Sequence, residues 1–227
     1  MSRVIFDIET VGMDFDSLDP STQEYLLKWT ETEEERARVK ESLSFYPLTG
    51  EVITIGMLNP DSNKGAVFFQ TPGEPVPPFE EDGIKYEGGT EKDILEKFWN
   101  TVKAYDQFIT FNGRVFDCPF LIIRSAAHRI KPLRDLMPNR YNGAHIDLLD
   151  QLSFYGASKR RFSLDMWCKT FNIKSPKADG ITGYQVKDLF TAGRHVDIAK
   201  YCAGDLRATR ELLFIWENYI RFYGERC

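Results

Sequence analysis

The first strand-like run, Val4-Ile5-Phe6-Asp7-Ile8-Glu9, is apolar enough for a core yet carries two acids two residues apart. In a strand, residues i and i+2 share a face. Asp7 and Glu9 therefore project together with Ile5, while Val4, Phe6 and Ile8 project to the other side. Two carboxylates held close in a partly dry place repel each other. One takes up a proton, or both share a cation, or the strand end is open to water and both are solvated. A divalent metal is the natural cation, since Mg2+ prefers carboxylate oxygens.

Further strand-like runs at 51–58 (EVITIGML) and 65–71 (GAVFFQT), with turn residues between them, predict an antiparallel meander. Residues 89–102 have helical spacing, with Thr90 and Asp93 placed as a capping pair. Residues 105–113 read as a strand ending in turn residues, and 118–130 as a helix with Pro119 in its first turn. The stretch 144–149 reads as a short strand or the start of a helix. Residues 147 to 222 read as mostly helical, ending in a long helix from about Asp197. This order predicts an α/β fold: a mixed sheet, antiparallel meander plus parallel strands, flanked by helices.

Two segments stand apart. Residues 13–50 read as a helical insertion after the first strand, with a helix near 20–29. Its charged run, 31–41, is either a solvated helix face or a lid over a neighbouring site. Residues 72–89, rich in Pro and Gly, read as an irregular surface loop. The chain of 227 residues is long enough for one sizeable core carrying an insertion, so 1–227 reads as a single domain.

Composition excludes several classes. A net charge of -5 argues against a protein that coats nucleic acid by charge alone. The charge is uneven, however: between Leu121 and Lys187 twelve lysines and arginines stand against five aspartates, most densely at 158–162 (SKRRF). That stretch is either a solubilising surface or a phosphate-contacting wall. Cys118, Cys168, Cys202 and Cys227, with three histidines, show no zinc spacing and read as free thiols of a reducing compartment. No apolar run approaches the ~20 residues of a membrane helix. The first strand follows Met1 too closely for a leader. These features predict a soluble, cytoplasmic protein with no membrane partner.

Three later positions could join the first two acids. Asp117 falls between a strand and a helix, where it can cap the helix or face a site at the sheet edge. Asn112, just before Gly113, is a turn residue or a neighbour of the same edge. Tyr201 and Asp205 stand four apart on one helix face. Gly204 beside them weakens a helix interior, which suggests a close approach by backbone or ligand.

"DIET" at Asp7, "NGRVFD" ending at Asp117 and "YCAGD" ending at Asp205 resemble, in order, the three motifs of the DEDD (DnaQ-like) 3′–5′ exonuclease superfamily. Tyr201, four residues before the last Asp, is similar to the tyrosine branch. The whole pattern resembles the proofreading exonuclease domain of family B DNA polymerases. The resemblance implies a ribonuclease H-like fold and two-metal hydrolysis with Mg2+ or Mn2+. It implies that Asp7 bridges both ions, that Glu9 and Asp205 complete one site and that Asp117 holds the other ion. Tyr201 would position the attacking water. Thr10 would meet the terminal nucleotide through its backbone, and Asn112 and Phe116 would line the path of the strand, Phe116 by stacking on a base or else as a core ring. The implied substrate is the 3′ end of single-stranded nucleic acid, DNA ahead of RNA.

Two other classes are weighed against it. A haloacid dehalogenase-type phosphatase also opens on an acidic strand end, but its DxDxT motif is broken here by Glu9 and Val11. A non-catalytic nucleic-acid-binding module on the same scaffold need not have kept all four carboxylates and the tyrosine.

Overall fold

The structure is a computed structural model and describes residues 1–175 and 185–222. Lys177, Asp179 and Cys227 lie outside the described residues. A seven-stranded sheet forms the centre, in the order β4-β5-β3-β2-β1-β6-β7. Its members are β1 (Arg3–Gly12), β2 (Gly50–Asn59), β3 (Lys64–Gln70), β4 (Phe79–Glu81), β5 (Ile84–Gly89), β6 (Gln107–Thr110) and β7 (His145–Asp147). β1 runs antiparallel to β2 and parallel to β6, and β6 runs parallel to β7. β2 and β3 form the expected antiparallel meander.

The period-two reading of β1 holds. Val4, Phe6 and Ile8 enter one core cluster, with Phe98, Trp99, Phe108 and Phe120. These come from α3 (Glu91–Val102), from β6 and from α4 (Asp117–Ala127). Ile5 enters a second cluster on the opposite face, with Ala199, Ala203 and Leu206 of α8 (His195–Ile215). α3 starts in the predicted capping box, Thr90 with Asp93. Between β1 and β2 lie α1 (Pro20–Leu27), α2 (Glu33–Glu41) and a short 3-10 turn, Ser42–Phe45. α1 and α2 bury no residue, and the sequence of α2 is almost wholly charged. The stretch 144–149 is both readings in succession: β7 runs directly into α5 (Leu148–Leu152). Two more short helices, α6 (Leu164–Thr170) and α7 (Val186–Thr191), precede α8. Among the described residues no helix is long and apolar enough to cross a membrane.

The sequence reading of 72–89 as an irregular loop is wrong for its second half. β4 and β5 form an antiparallel hairpin there, and β5 adds to β3 in parallel. Its turn is Asp82-Gly83, both at positive φ (51° and 76°). Asp-Gly is the two-residue turn whose twist matches flanking strands. The prolines end at Pro78, before the hairpin begins.

α8 crosses β2 closely because of a glycine, but the glycine is Gly56. A Cβ there would stand 2.7 Å from Cys202 Sγ and 2.7 Å from Leu206 Cδ1. Gly204 lines a different cavity, with Lys200, Arg207 and Tyr86.

Candidate active site

Three elements converge on an open cleft of about 370 Å3. β1 supplies Asp7, Glu9 and Thr10, the junction of β6 and α4 supplies Asn112, Phe116 and Asp117, and α8 supplies Tyr201 and Asp205. All eight residues singled out in the sequence line this one cleft.

Oxygens of Asp7, Glu9 and Asp205 lie within 4.8 Å of one another. β1 has its side chains at Asp7 and Glu9 aimed at α8, and the i,i+4 spacing on α8 puts Tyr201 and Asp205 on the facing side. The Tyr201 phenol lies close enough to the Asp205 carboxyl to feel its charge. The Cys202 thiol lies 3.9 Å from Asp7 Oδ2 and 3.8 Å from its carbonyl oxygen. A register shift follows Glu9: it pairs with Thr54, whereas Thr10 pairs with Val52, so β2 carries Ile53 as an extra residue. Bulges of this kind re-aim a side chain beside a site.

Asp117 is buried and does not cap α4. Phe116 occupies the cap position, and Asp117 is the first helical residue. Its Oδ1 accepts the Ile8 backbone N–H at 3.1 Å, which ties the start of α4 to β1. Asn112 stands in the left-handed region at φ 67°, as its Asn-Gly turn requires. Phe116 packs partly against the core and meets the Phe120 ring at 5.3 Å, while also facing the cleft.

Electrostatics mark the cleft. Burial, followed by the charges of Asp117, Asp205 and Glu9, pushes the Asp7 carboxyl well above the usual range. Burial, then Asp205 and Asp117, does the same to Glu9. Burial pushes Asp117 up to about 7, against the hydrogen bonds that favour its charged form. Burial and the charges of Asp205, Glu9 and Asp7 drive the Tyr201 phenol far up, so it stays protonated. Carboxylates crowded in this way are destabilising until a cation or protons offset their charge.

Sequence reasoning missed several residues here. Asp147 is buried at the end of β7 and accepts N–H from Asn112 at 2.9 Å and from Arg114 at 3.0 Å. It also caps α5 through Leu149 N–H at 3.0 Å. Asp147 thus shapes the loop that carries Asn112 and leads into α4 at Asp117. The sign of it in the sequence is an Asp between a strand run and a helix. Ser44 and Phe45, from the segment between β1 and β2, also line the cleft, as do Ser163, Leu164 and Asp165. Arg161, within the basic stretch, donates from Nη2 to Asn112 Oδ1 at 2.9 Å. Other basic residues of that stretch are paired internally, Arg124 with Glu91, Arg140 with Asp150 and Lys169 with Asp165.

The model of a family described as a predicted 3′-5′ exonuclease related to the exonuclease domain of PolB matches residues 79–225. The chain belongs to that family. The matched stretch carries Asp117, Tyr201 and Asp205, and β1 with Asp7 and Glu9 precedes it. Among solved structures, the family B DNA polymerase of the hyperthermophilic archaeon Pyrobaculum calidifontis is similar, with a TM-score of 0.60 and 18% identity. That match covers 95% of this chain and 24% of the polymerase, so the chain spans about a quarter of that relative. No curated protein matches in sequence. The sheet and its flanking helices are therefore a ribonuclease H-like fold, and the chain is a PolB-related 3′–5′ exonuclease domain whose substrate is nucleic acid.

Proposed function

We propose that this exonuclease removes nucleotides from the 3′ end of single-stranded DNA, in preference to RNA, by hydrolysis that depends on two divalent cations, Mg2+ or Mn2+. The observation that carries the reading is the carboxylate cluster, with oxygens of Asp7, Glu9 and Asp205 within 4.8 Å of one another. A donor set made only of carboxylate oxygen suits hard cations, not the soft ones that thiolates select. Asp7 would contact both ions, Glu9 and Asp205 one of them, and Asp117 the other. When bound, the ions offset the crowded negative charge and stabilise the attacking and leaving oxygens at phosphorus.

The chain's own groups do the rest. Tyr201 is protonated and stands beside Asp205, so it can orient water by hydrogen bonding but is a poor base. Asn112 and Phe116 receive the strand upstream of the scissile bond, and the Thr10 backbone meets the terminal nucleotide. Arg161 holds the Asn112 carboxamide and stands ready for backbone phosphates. Residues 1–227 act as one domain, with 13–50 as an insertion that borders the site. The preference for DNA is supported by the likeness to a DNA polymerase.

Matched oligonucleotides digested side by side test this reading. Single-stranded DNA should shorten fastest, duplex DNA slowly, because a paired end must fray first, and RNA more slowly than single-stranded DNA. Faster loss of RNA would make the chain an exoribonuclease. Intact oligonucleotides under every divalent cation would leave only a binding module.

A further inference from the structure

We propose that Phe45, delivered by the segment between β1 and β2, is the platform on which the base of the 3′-terminal nucleotide stacks. The inference rests on the exonuclease reading of the cleft. It begins with a close approach of backbone to backbone. A Cβ on Gly12 would stand 2.9 Å from Leu43 Cβ and 2.9 Å from Ser44 N, so the 42–45 turn lies directly against β1. Leu43 anchors it at 2% exposure, and its carbonyl accepts the Thr49 hydroxyl at 2.9 Å. The Ser44 carbonyl accepts the Thr10 hydroxyl at 2.7 Å. Thr10 follows Glu9, so the turn is fixed beside the carboxylate cluster.

The next residue, Phe45, is nonetheless 53% exposed and borders the same cleft as Asp7, Glu9 and Asp205. A lone exposed apolar ring is ordinary on a protein surface. This one is held by a fixed turn, at the mouth of a hydrolytic cleft, facing water. The same cleft is lined by Phe111 and Phe116, both from the loop after β6. A cleft lined by three aromatic rings suits unpaired bases, since every base has a π face and stacks without regard to sequence. The rings divide the work. Phe116 stands with Asn112, where the upstream strand enters. Phe45 stands with Thr10, where the terminal nucleotide lies, so its ring takes the last base and keeps it from re-pairing.

The test compares two 5′-labelled single strands of DNA that differ only in the last nucleotide, one bearing a base and one abasic. Removal of that nucleotide is timed for the unsubstituted chain, Phe45→Ala and Phe45→Tyr, with thermal melts run alongside. Stacking predicts that Phe45→Ala loses about 10- to 100-fold in kcat/KM on the base-bearing end. Phe45→Tyr should keep most of the activity, and the abasic end should be removed equally by all three. An equal loss on both ends, or no loss on either, overturns the stacking role while leaving the exonuclease reading in place. If the unsubstituted chain removes neither nucleotide, both readings fail together.

Discussion

Replacing Asp7 by Asn should stabilise the metal-free protein while abolishing its activity. The substitution keeps the size of the side chain and removes one of three charges whose oxygens lie within 4.8 Å of one another. At an effective dielectric of ~20, a pair of unit charges at that separation repels by ~3.5 kcal/mol. Asp7→Asn removes two of the three pairs. Proton uptake already relieves part of this, because burial and neighbouring charge hold Asp7 and Glu9 well above the usual carboxylate range. The net gain is therefore taken as one pair, ~3 kcal/mol. For a chain of this size each kcal/mol moves Tm by ~2–4 °C, giving a rise of ~6–12 °C in chelator at pH 8. The pH dependence has a definite sign. Carboxyls with raised folded pKa keep protons that the unfolded chain releases, so their contribution is full below ~4 and falls as pH rises. For Asp117 the loss runs up to about 7. In chelator the unsubstituted protein should thus lose Tm as pH climbs from ~4 to 8, and Asp7→Asn should lose less. Adding Mn2+ should raise the Tm of the unsubstituted protein more than that of the variant. An Asp7→Asn variant that melts at or below the unsubstituted Tm in chelator would refute the crowding argument.

Other outcomes follow from single contacts. Tyr201→Phe should slow cleavage by ~10- to 100-fold with unchanged Mn2+ affinity by calorimetry, since it removes a water-orienting hydroxyl and no ligand. Asp147→Ala leaves the N–H groups of Asn112 and Arg114 without their acceptor. It should cost ~2–4 kcal/mol in urea unfolding and lower kcat. Glu91 does not line the cleft and accepts from Arg124, His128 and the Val52 N–H. Burial pushes its carboxyl up, but those bonds outweigh burial and hold it below the usual range. Glu91→Gln should cost ~3 kcal/mol at neutral pH by leaving Arg124 uncompensated. The gap between the two proteins should narrow as pH falls through the Glu91 range, as urea midpoints at pH 7 and below pH 4 will show.

The cleft was legible where local periodicity fixes direction. Asp7 and Glu9 share a face by the strand period, Tyr201 and Asp205 by the helix period, and Asn112-Gly113 announces its turn. What brings these pairs together is the packing of α8 on β2, permitted by Gly56, and no short window of sequence reports that. The β4–β5 hairpin was hidden by the prolines of 72–78, although Asp82-Gly83 is itself a hairpin turn signal. Asp117 read equally well as a cap, because its bond to the Ile8 N–H joins residues far apart in sequence. Phe45 was invisible for the same reason: only the seat of the 42–45 turn on Gly12 brings it to the site.

The central claim is tested most directly by a 5′-labelled single-stranded DNA incubated with the protein in Mg2+ or Mn2+, and in chelator. The account predicts a ladder that shortens stepwise from the unlabelled 3′ end, present with the cation and absent in chelator, and absent with Asp7→Asn under either condition. Full-length substrate at every time point with cation present, or early release of the labelled 5′ nucleotide, would contradict it.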